Sequence, residues 1–526
     1  MKKKLTSLLL LGIVAGTAAA SDSPSPKIIM GIMVDQLRTD YLEQLRPYFG
    51  QSGFNRLMSE GVYMPDVDFH NVAADALTGT AIVYTGAWPT VNGVASAEIL
   101  DADSRRHIPI LASKSRPYSD FSPENLKVST IADELLINNG TLSKVFSVGG
   151  DAQTAVATAG HGGSSAVWFD EISGRWTTSP YYGTIPPVIS NKNRNNPVAA
   201  KISGSPWRPL KNATAYAGGN LWNPGDFNYT FGGSGRDTYL RFKSAAPFNS
   251  EVTDAALDIL KSMQTAGTSS QGGMLSVNYS LAPYPYDFDG DNRPELIDSY
   301  VRLDADLGRL IDAATNTFGA DNLLIFLSST GYANDPNIPD AKVKLPTGEI
   351  TLKQAESLLN SYLSASYGNG DYVSLIKNGK LYLDSKFAAS KNIDIRKLRA
   401  ESKEFLLKMS GISEAFTIDE IIRGENVRAK DMALGIDAKN SPDIFLFFNP
   451  GWVVTDDNAY PVKTEKVRLT TPSVPAFILA PGISPQLITE SVEATAIAPT
   501  ISSLMRIRAP NAAASRPLYL TKNTGK

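Results

Sequence analysis

An acidic segment of the chain has the side-chain spacing of a loop that binds a hard cation. Residues 287–298 read Asp-Phe-Asp-Gly-Asp-Asn-Arg-Pro-Glu-Leu-Ile-Asp, with carboxylates at loop positions 1, 3, 5, 9 and 12. Calcium prefers several oxygen ligands, and a loop with this spacing can wrap them around one ion. The candidate calcium ligands are Asp287, Asp289, Asp291, Arg293, Glu295 and Asp298.

The same segment also has the features of a helix start. Asp291 or Asn292 can cap the first turn, Pro294 suits that turn, and Glu295 is stabilised by the helix dipole. Asn292 stands at loop position 6, where glycine is usual, although Asn tolerates left-handed backbone better than most residues. Two interpretations therefore stay open: one bound calcium ion, or an acidic helix cap.

Asp35 is a further candidate for chemistry, because it ends the near-continuous apolar run of residues 27–35. Such runs are typical of buried parallel strands, and helices must then cover both faces of the sheet. Similar runs lie at residues 143–149, 273–280, 322–330, 443–448 and 475–480. Helical periodicity lies between several of them, at residues 39–49, 251–263, 296–318 and 495–507. We therefore predict an α/β fold with a mostly parallel sheet between helices, whose ligands gather at the carboxyl ends of the strands.

Two inserted lobes interrupt this alternation. Residues from about 168 to 248 are rich in Gly, Pro and aromatic residues and predict an irregular lid or cap, and residues from about 334 to 427 are polar and Lys-rich. The rings of the first lobe could form a docking surface for carbohydrate or protein, or a local mini-core, which we favour because each ring buries a large area. These rings belong to Trp168, Trp176, Tyr181, Tyr182, Trp207, Trp222 and Tyr229.

Composition and the N-terminus predict an exported protein. The chain has 526 residues, 50 Lys plus Arg against 53 Asp plus Glu, and 42% hydrophobic residues, which is ordinary globular composition without a basic footprint for nucleic acid. Residues 1–20 contain three lysines, a short apolar run and a small-residue end, as in a secretory signal peptide. The chain has no cysteine, hence no lipid-modified Cys, disulfide or thiolate metal site. We expect a periplasmic or secreted protein without a transmembrane segment.

Several motifs resemble one family in the same order along the chain. They are Val34-Asp-Gln-Leu-Arg38 with Tyr41, Gly53-Phe54 with Leu57, Ala81-Ile-Val-Tyr-Thr-Gly86 with Pro89, Trp168-Phe-Asp170, Asp298-Ser-Tyr-Val-Arg-Leu-Asp304 and Ile497-Ala-Pro-Thr-Ile501. They resemble the exported threonine-nucleophile alkaline phosphatases of the alkaline phosphatase superfamily. The resemblance covers essentially the mature chain, residues 27–526, and implies an alkaline-phosphatase-like domain whose chemistry is two-zinc phosphoryl transfer.

The residues that this resemblance assigns to the site depart from the family's pattern. The nucleophile position falls on Ala76, which has no oxygen, and of the assigned zinc ligands only Asp35 is retained unchanged. The remaining zinc positions fall on Pro283, Asp287, Thr330, Gly331 and Ser473. The phosphate-contact positions fall on Ala97, Asp151 and Gln153. We therefore predict no catalytic residue and no bound zinc, and a calcium ion, if present, would fix the loop that replaced a zinc-binding one.

The three histidines offer no substitute site. His70, His107 and His161 are far apart in sequence, and we expect a structural role for each. His161 lies among glycines and could instead line a pocket. Thr78 or Thr80 could replace the missing nucleophile, although a shift along the turn would move the oxygen out of line.

These features predict a catalytically inactive, alkaline-phosphatase-like protein with a binding or scaffold role at the bacterial cell envelope. Its contact surface would be the former active-site face or the aromatic insertion, and its partner an envelope protein or a glycan. The alternative is a metal-dependent phosphomonoesterase or phosphodiesterase of the same family, a phosphoric ester hydrolase whose site residues differ from those assigned. A third possibility is a hydrolase with a relocated site. Zinc dependence separates the inactive protein from the metalloenzyme.

Overall fold

The structure, a computed structural model, describes residues 25–523 except 73, 102–105, 203, 205, 211–226, 282–293, 332–345, 438, 460–461 and 468–470. The predicted signal peptide therefore lies outside the described residues, as do Pro283, Asp287, Asp289, Asp291 and Arg293. In the described part of the chain, no helix has the length and apolar character needed to cross a bilayer.

Strands of the described residues are β1 (Ile28–Asp35), β2 (Val62–Met64), β3 (Val67–Asp68), β4 (Glu98–Asp101), β5 (Arg106–Pro109), β6 (Ala112–Ser113), β7 (Arg116–Phe121), β8 (Lys144–Gly149), β9 (Ser165–Asp170), β10 (Arg175–Thr177), β11 (Gly273–Ser280), β12 (Leu323–Ser329), β13 (Glu349–Thr351), β14 (Val373–Lys377), β15 (Lys380–Leu383), β16 (Ile412–Thr417), β17 (Ile444–Phe448), β18 (Val453–Asp456), β19 (Lys463–Lys466), β20 (Ala476–Leu479), β21 (Gln486–Leu487) and β22 (Val492–Glu493).

Helices of the described residues are α1 (Thr39–Leu45), α2 (Phe54–Glu60), α3 (Ala76–Thr85), α4 (Pro89–Asn92), α5 (Ile131–Asn139), α6 (Ala152–Ala159), α7 (Pro187–Asn195), α8 (Val198–Ile202), α9 (Arg236–Lys243), α10 (Pro247–Thr265), α11 (Thr268–Gln271), α12 (Pro294–Phe318), α13 (Leu352–Tyr367), α14 (Ser385–Ser390), α15 (Ile395–Leu406), α16 (Ile418–Arg423), α17 (Val427–Leu434) and α18 (Ile497–Met505).

The central sheet has the strand order β10-β9-β8-β11-β1-β12-β20-β2-β21. The five strands from β9 to β12 in this order are parallel, whereas β10 at one side and β20 at the other pair antiparallel to their neighbours. The α/β class and the mostly parallel sheet are thus confirmed. The apolar run at 475–480 forms β20, which is antiparallel to β12, so its prediction as a parallel strand is wrong.

The side chains of β1 point alternately to the two faces of the central sheet, and each face is covered by helices. Ile28, Met30 and Ile32 pack into one core cluster with α10 and α12, while Ile29 and Met33 pack into a second cluster with α3 and α18. Because successive strand residues point to opposite faces, a strand buried on both faces must be apolar at nearly every position. The sheet therefore lies between two helical layers, and polar side chains that can reach a ligand are expected at its strand ends.

The second inserted lobe has its own core. Strands β14, β15, β17 and β16 form an antiparallel sheet that packs with α13 and α15 around Leu359, Leu398 and Ile444. The lobe extends to β19, beyond the boundary near residue 427 expected from sequence. The apolar run at 443–448 is β17 of this lobe, not a parallel strand of the central sheet. It is apolar because Ile444 and Leu446 face the lobe core and Phe445 packs on a small cluster at its other face.

The aromatic insertion packs into the main core. Trp176 and Trp207 are fully buried in the cluster that also contains α10 and α12, so these two rings belong to the main core and not to a separate mini-core. The structure places Trp168 and Phe169 in β9 of the central sheet, so the irregular part of this interval begins later than residue 168. Tyr181 is 45% exposed, and Trp222 lies outside the described residues.

Candidate functional site

The carboxyl ends of β1 and β12 bring two of the assigned residues together. In the parallel register Val34 pairs with Ser329, so Asp35 and Thr330 follow at the same edge of the sheet. The Thr330 amide donates to the Val34 carbonyl, and the Thr330 hydroxyl donates to Asp35 Oδ1 at 2.8 Å. The edge predicted to gather ligands is therefore the place where these side chains meet.

The ionised form of Asp35 is disfavoured in this setting. Burial raises its pKa to about 6, and the charge of Asp75 adds to the increase, while hydrogen bonds from Thr330 and Gln36 oppose it. A buried carboxylate gains a proton more readily because the low-dielectric surroundings disfavour its charged form. The side chain is thus held by hydrogen bonds without a cation beside it among the described residues.

Helix α3 starts directly against the same strand ends. Its N-cap, Asp75, accepts hydrogen bonds from the Thr78 amide and hydroxyl at 2.9 and 2.8 Å, which satisfies a free donor of the first turn. A Cβ atom added to Gly79 would lie 1.6 Å from the Thr330 carbonyl oxygen. Only glycine permits this approach, which places Ala76, the first residue of the helix, at the edge that carries Asp35 and Thr330.

A hydrogen-bond chain joins α3 to the assigned phosphate-contact positions. The Ala97 amide donates to Asp75 Oδ2 at 2.7 Å, and Gln153 Nε2 donates to the Ala97 carbonyl at 3.0 Å. Asp151 caps α6 through the Thr154 amide and is exposed. Ala97 is therefore joined to α3 through its backbone amide and Gln153 to Ala97 through its side-chain amide, and neither side chain carries a charge.

The remaining assigned residues are placed as follows. The Ser473 carbonyl accepts a hydrogen bond from the Thr39 amide at 3.0 Å. Because Thr39 follows Asp35 by four residues, Ser473 also lies near the end of β1. Gly331 has a φ of 75°, a left-handed backbone that suits glycine. Pro283 and Asp287 lie outside the described residues.

The described side chains do not fit a pair of zinc ions. Asp35 offers one carboxylate, Thr330 and Ser473 offer neutral hydroxyl groups, and Gly331 offers no side chain, whereas zinc is bound by Cys, His, Asp and Glu. Within residues 25–523, apart from the gaps given above, no three His, Asp or Glu side chains are grouped as metal ligands. We therefore derive no chemical step through a metal at this edge.

Glu295 and Asp298, the last two candidate calcium ligands, are engaged with protein groups. Glu295 Oε1 accepts from the Tyr229 hydroxyl at 2.5 Å. Asp298 accepts from Trp207 Nε1 at 2.7 Å and from the Leu210 amide at 2.6 Å. Both residues lie in α12, whose described residues are Pro294–Phe318. Calcium binding by the other four residues stays a prediction, since they lie outside the described part of the chain.

The three histidines lie apart from one another and have structural contacts. His70 packs edge-on against Trp88 at 5.1 Å, and His107 packs edge-on against Tyr382 at 5.9 Å. His161 Nδ1 lies 2.9 Å from Asp133 Oδ2. That hydrogen bond raises the pKa of His161. These contacts support the structural roles expected for each histidine.

Two charged residues near the site were missed by sequence reasoning. Asp75 has a local signal, a carboxylate three residues before Thr78 at a helix start, but that pattern indicates only a cap. Lys380 comes from β15 of the inserted lobe and has no local signal. It interacts electrostatically with Asp75, and burial lowers its pKa. Its position follows from tertiary packing alone.

Comparisons with known proteins agree with this architecture. The family described as type I phosphodiesterase / nucleotide pyrophosphatase matches residues 29–471. The chain is 26% identical over 543 residues to alkaline phosphatase PafA of Elizabethkingia meningoseptica, covering 98% of each chain. It is 25% identical over 522 residues to alkaline phosphatase PhoV of Synechococcus elongatus, covering 93% of this chain and 92% of the relative.

The fold also matches a solved structure over nearly its full length. The crystal structure of wild-type alkaline phosphatase PafA is similar with a TM-score of 0.80 at 25% identity, covering 94% of this chain and 98% of that one. The family match spans most of the chain, and the central sheet and its helices have the corresponding α/β architecture. The chain belongs to the type I phosphodiesterase/nucleotide pyrophosphatase family of the alkaline phosphatase superfamily.

Proposed function

We propose that this protein is an exported, catalytically inactive member of its family with a binding or scaffold role at the bacterial cell envelope. The contact between Asp35 and Thr330 carries the proposal. The assigned zinc ligand Asp35 is satisfied by a threonine hydroxyl at 2.8 Å, where the family's pattern calls for further metal ligands. A hydroxyl that donates to this carboxylate takes the place of a Lewis-acid partner.

The substituted neighbours support the same function. Ala76 has a methyl group at the assigned nucleophile position, and Gly331 and Ala97 bring no functional side chain to the site. Phosphoryl transfer needs a nucleophile and positive charge around the transferred group. The partner class that we infer is an envelope protein or a glycan, which would contact the former active-site face or the aromatic insertion.

Metal content is the direct test of this proposal. The mature chain is dialysed against buffer with micromolar zinc and calcium, and bound metal is measured by mass spectrometry. We expect no stoichiometric zinc, and hydrolysis of p-nitrophenyl phosphate and bis(p-nitrophenyl) phosphate at the rate of the buffer control. Ala76→Thr should stay inactive, because it restores a hydroxyl but no metal ligand. Stoichiometric zinc with ester hydrolysis would instead establish the alternative, a metal-dependent phosphomonoesterase or phosphodiesterase.

The pH dependence of stability provides a second prediction. The folded protein binds the Asp35 proton more tightly than the unfolded chain, whose ordinary pKa is 3.8, because the folded pKa is about 6. Ionised Asp35 therefore costs stability, and this cost is absent below about pH 4 and complete above about pH 6. Asp35→Asn should raise the free energy of unfolding by about 1–3 kcal/mol at pH 8, with the gain shrinking towards pH 5. Urea denaturation across this range measures it.

Asp151→Asn is the matched control for this variant. It makes the same charge change at an exposed helix cap, and Asn is as good an N-cap as Asp, so its effect should be small and flat with pH. Destabilisation by Asp35→Asn at pH 8, accompanied by loss of bound metal, would identify Asp35 as a working metal ligand and contradict the inactive assignment.

A further inference from the structure

The loop between α6 and β9 joins three parts of the molecule through His161. Its ring contacts Asp133 of α5 on one side. On the other side it contacts the Leu126 carbonyl, which belongs to the entry segment, residues 122–130, that leads into α5. The hydroxyl of Tyr181, in the aromatic insertion, donates to the His161 carbonyl at 3.0 Å. His161 is therefore a junction between α5, the entry segment and the aromatic insertion.

Both ring nitrogens of His161 face hydrogen-bond acceptors. Nδ1 lies 2.9 Å from Asp133 Oδ2, and Nε2 lies 2.9 Å from the Leu126 carbonyl oxygen. A carbonyl oxygen and an ionised carboxylate can only accept, whereas a neutral imidazole has a single N–H donor. The imidazolium form, which carries a proton on each nitrogen, is the form that satisfies both contacts.

Asp133 is held in its ionised form at this junction. Its Oδ2 accepts from the amide and hydroxyl of Thr130, and its Oδ1 accepts from the amides of His161 and Gly162. Burial acts to raise the pKa of Asp133, but the hydrogen bonds from His161, Thr130 and Gly162 outweigh it, so the pKa is lowered. Among the described residues, His161 is the one cationic partner of this buried carboxylate.

The other charged residues of α5 and of the entry segment are engaged with other groups. They are Glu134, which pairs with Arg508, Glu124, which accepts from the Ser122 hydroxyl, and Lys127, which pairs with Asp437. Asp133 is therefore the charged group that governs the protonation of His161. Its hydrogen bond raises the pKa of His161, and burial of the ring opposes that increase.

The aromatic insertion contributes two tyrosines to the junction. The Tyr182 hydroxyl donates to the Gly160 carbonyl at 2.8 Å, next to the contact of Tyr181 with the His161 carbonyl. Burial raises the pKa of both tyrosines above the ordinary value of 10.0. Both hydroxyl groups therefore stay protonated while His161 titrates, and a pH effect at this junction in the neutral range belongs to the histidine.

We propose that His161 is a pH-sensitive latch, which holds both ring protons at pH values where a free histidine has lost one and releases the entry segment when it loses the second. The Nδ1 proton stays on the side of Asp133, because the carboxylate is the stronger acceptor. The Nε2 proton passes to solvent, which reaches the side chain because it is 37% exposed. The Nε2 lone pair then faces the Leu126 carbonyl oxygen, and repulsion replaces the hydrogen bond. This latch is independent of catalysis and of the proposed binding role.

The latch holds over a defined range of pH. The folded protein binds the second ring proton more tightly than the unfolded chain, whose ordinary histidine pKa is 6.5. The stabilisation is therefore complete below about pH 6.5 and is lost as the pH rises through the folded pKa of His161. Asp133 sets the acid limit, because its stabilisation is present above the ordinary pKa of 3.8 and is lost as the pH falls through its lowered folded value.

Hydrogen–deuterium exchange at the Cε1 carbon of the histidine ring tests the protonation state. Mass spectrometry of peptides from the full mature chain gives the titration midpoint of each of the three histidines. We expect His161 to titrate above pH 6.5 and His107 below it, since burial and the charge of Lys377 lower the pKa of His107. Asp133→Asn should move the midpoint of His161 to lower pH and leave that of His107 unchanged. A midpoint of His161 at or below pH 6.5 in the original chain would overturn the proposal.

Amide exchange of the entry segment tests the release. Peptides that cover residues 122–130 are followed from about pH 6 to about pH 9, with each rate corrected for the intrinsic effect of pH. We expect the corrected rate to rise by about fivefold or more across the measured midpoint of His161, while peptides from α10 do not change. His161→Gln, whose amide donates but does not titrate, should abolish this pH dependence, and the control His107→Gln should retain it. A flat rate in the original chain, or an equal pH dependence in His161→Gln, would contradict the latch.

Discussion

Replacing Asp298 with alanine should lower the free energy of unfolding by about 3–5 kcal/mol, the range for breaking a buried ion pair. The carboxylate is fully buried and accepts from Trp207 Nε1, the Leu210 amide and Arg302 Nε. Its loss would leave the Arg302 charge and two donors without their acceptor, which costs more than the contacts themselves are worth. It would also remove two of the hydrogen bonds that join the aromatic insertion to α12. Urea denaturation followed by tryptophan fluorescence measures the effect.

Asp312→Ala is the matched control on the same helix. Asp312 is 50% exposed and pairs with Arg56 at 3.2 Å, so its removal should cost less than about 1 kcal/mol. Equal effects of the two variants would contradict the role assigned to Asp298. A destabilisation by Asp298→Ala that appears only in the presence of calcium, and disappears with a chelator, would instead assign this carboxylate to the predicted metal loop.

Gly79→Ala should destabilise the protein by about 3 kcal/mol or more, although the same change inside a helix ordinarily stabilises by about 1 kcal/mol. The added Cβ would lie 1.6 Å from the Thr330 carbonyl oxygen, so either α3 or the end of β12 must move. A backbone carbonyl cannot turn away as a flexible side chain can. Thermal and urea unfolding of the purified variant measure the loss.

Gly308→Ala is the corresponding control, because it is also a glycine inside a helix. Its added Cβ would first meet Ser52 Cβ at 3.3 Å, a contact that a small shift relieves. We expect a change within about 1 kcal/mol. If Gly79→Ala proves as stable as Gly308→Ala, the close approach of α3 to β12 does not exist in solution.

The central fold could be predicted from sequence because its signals are local. The runs that became β1, β11 and β12 are apolar on both faces, and the period of α12 is visible along the helix itself. The family motifs are also visible as short local stretches of sequence, although their residues make contacts between distant parts of the chain. Asp304 accepts hydrogen bonds from the Gly50 and Phe54 amides, which fixes the start of α2.

The candidate site could be predicted only in part. Asp35 was found because strand ends attract ligands, and Thr330 because the family resemblance assigns a zinc-ligand position to it. Lys380 could not be found, since it reaches Asp75 from a lobe whose placement depends on long-range packing. The run at 443–448 was given to the wrong sheet, because a short apolar strand does not encode which sheet it joins.

The second inserted lobe has a consequence for the order of folding. It lies between β12 and β20, which are neighbours in the central sheet and pair Ser328 with Ala476. Closing an unstructured loop of roughly 150 residues carries an entropy cost that grows with the logarithm of its length. The lobe has its own apolar core, and once folded it holds its two ends at a fixed separation. The chain that must then be closed is only the short remainder on either side, so we expect early folding of the lobe to speed the addition of β20 to the sheet.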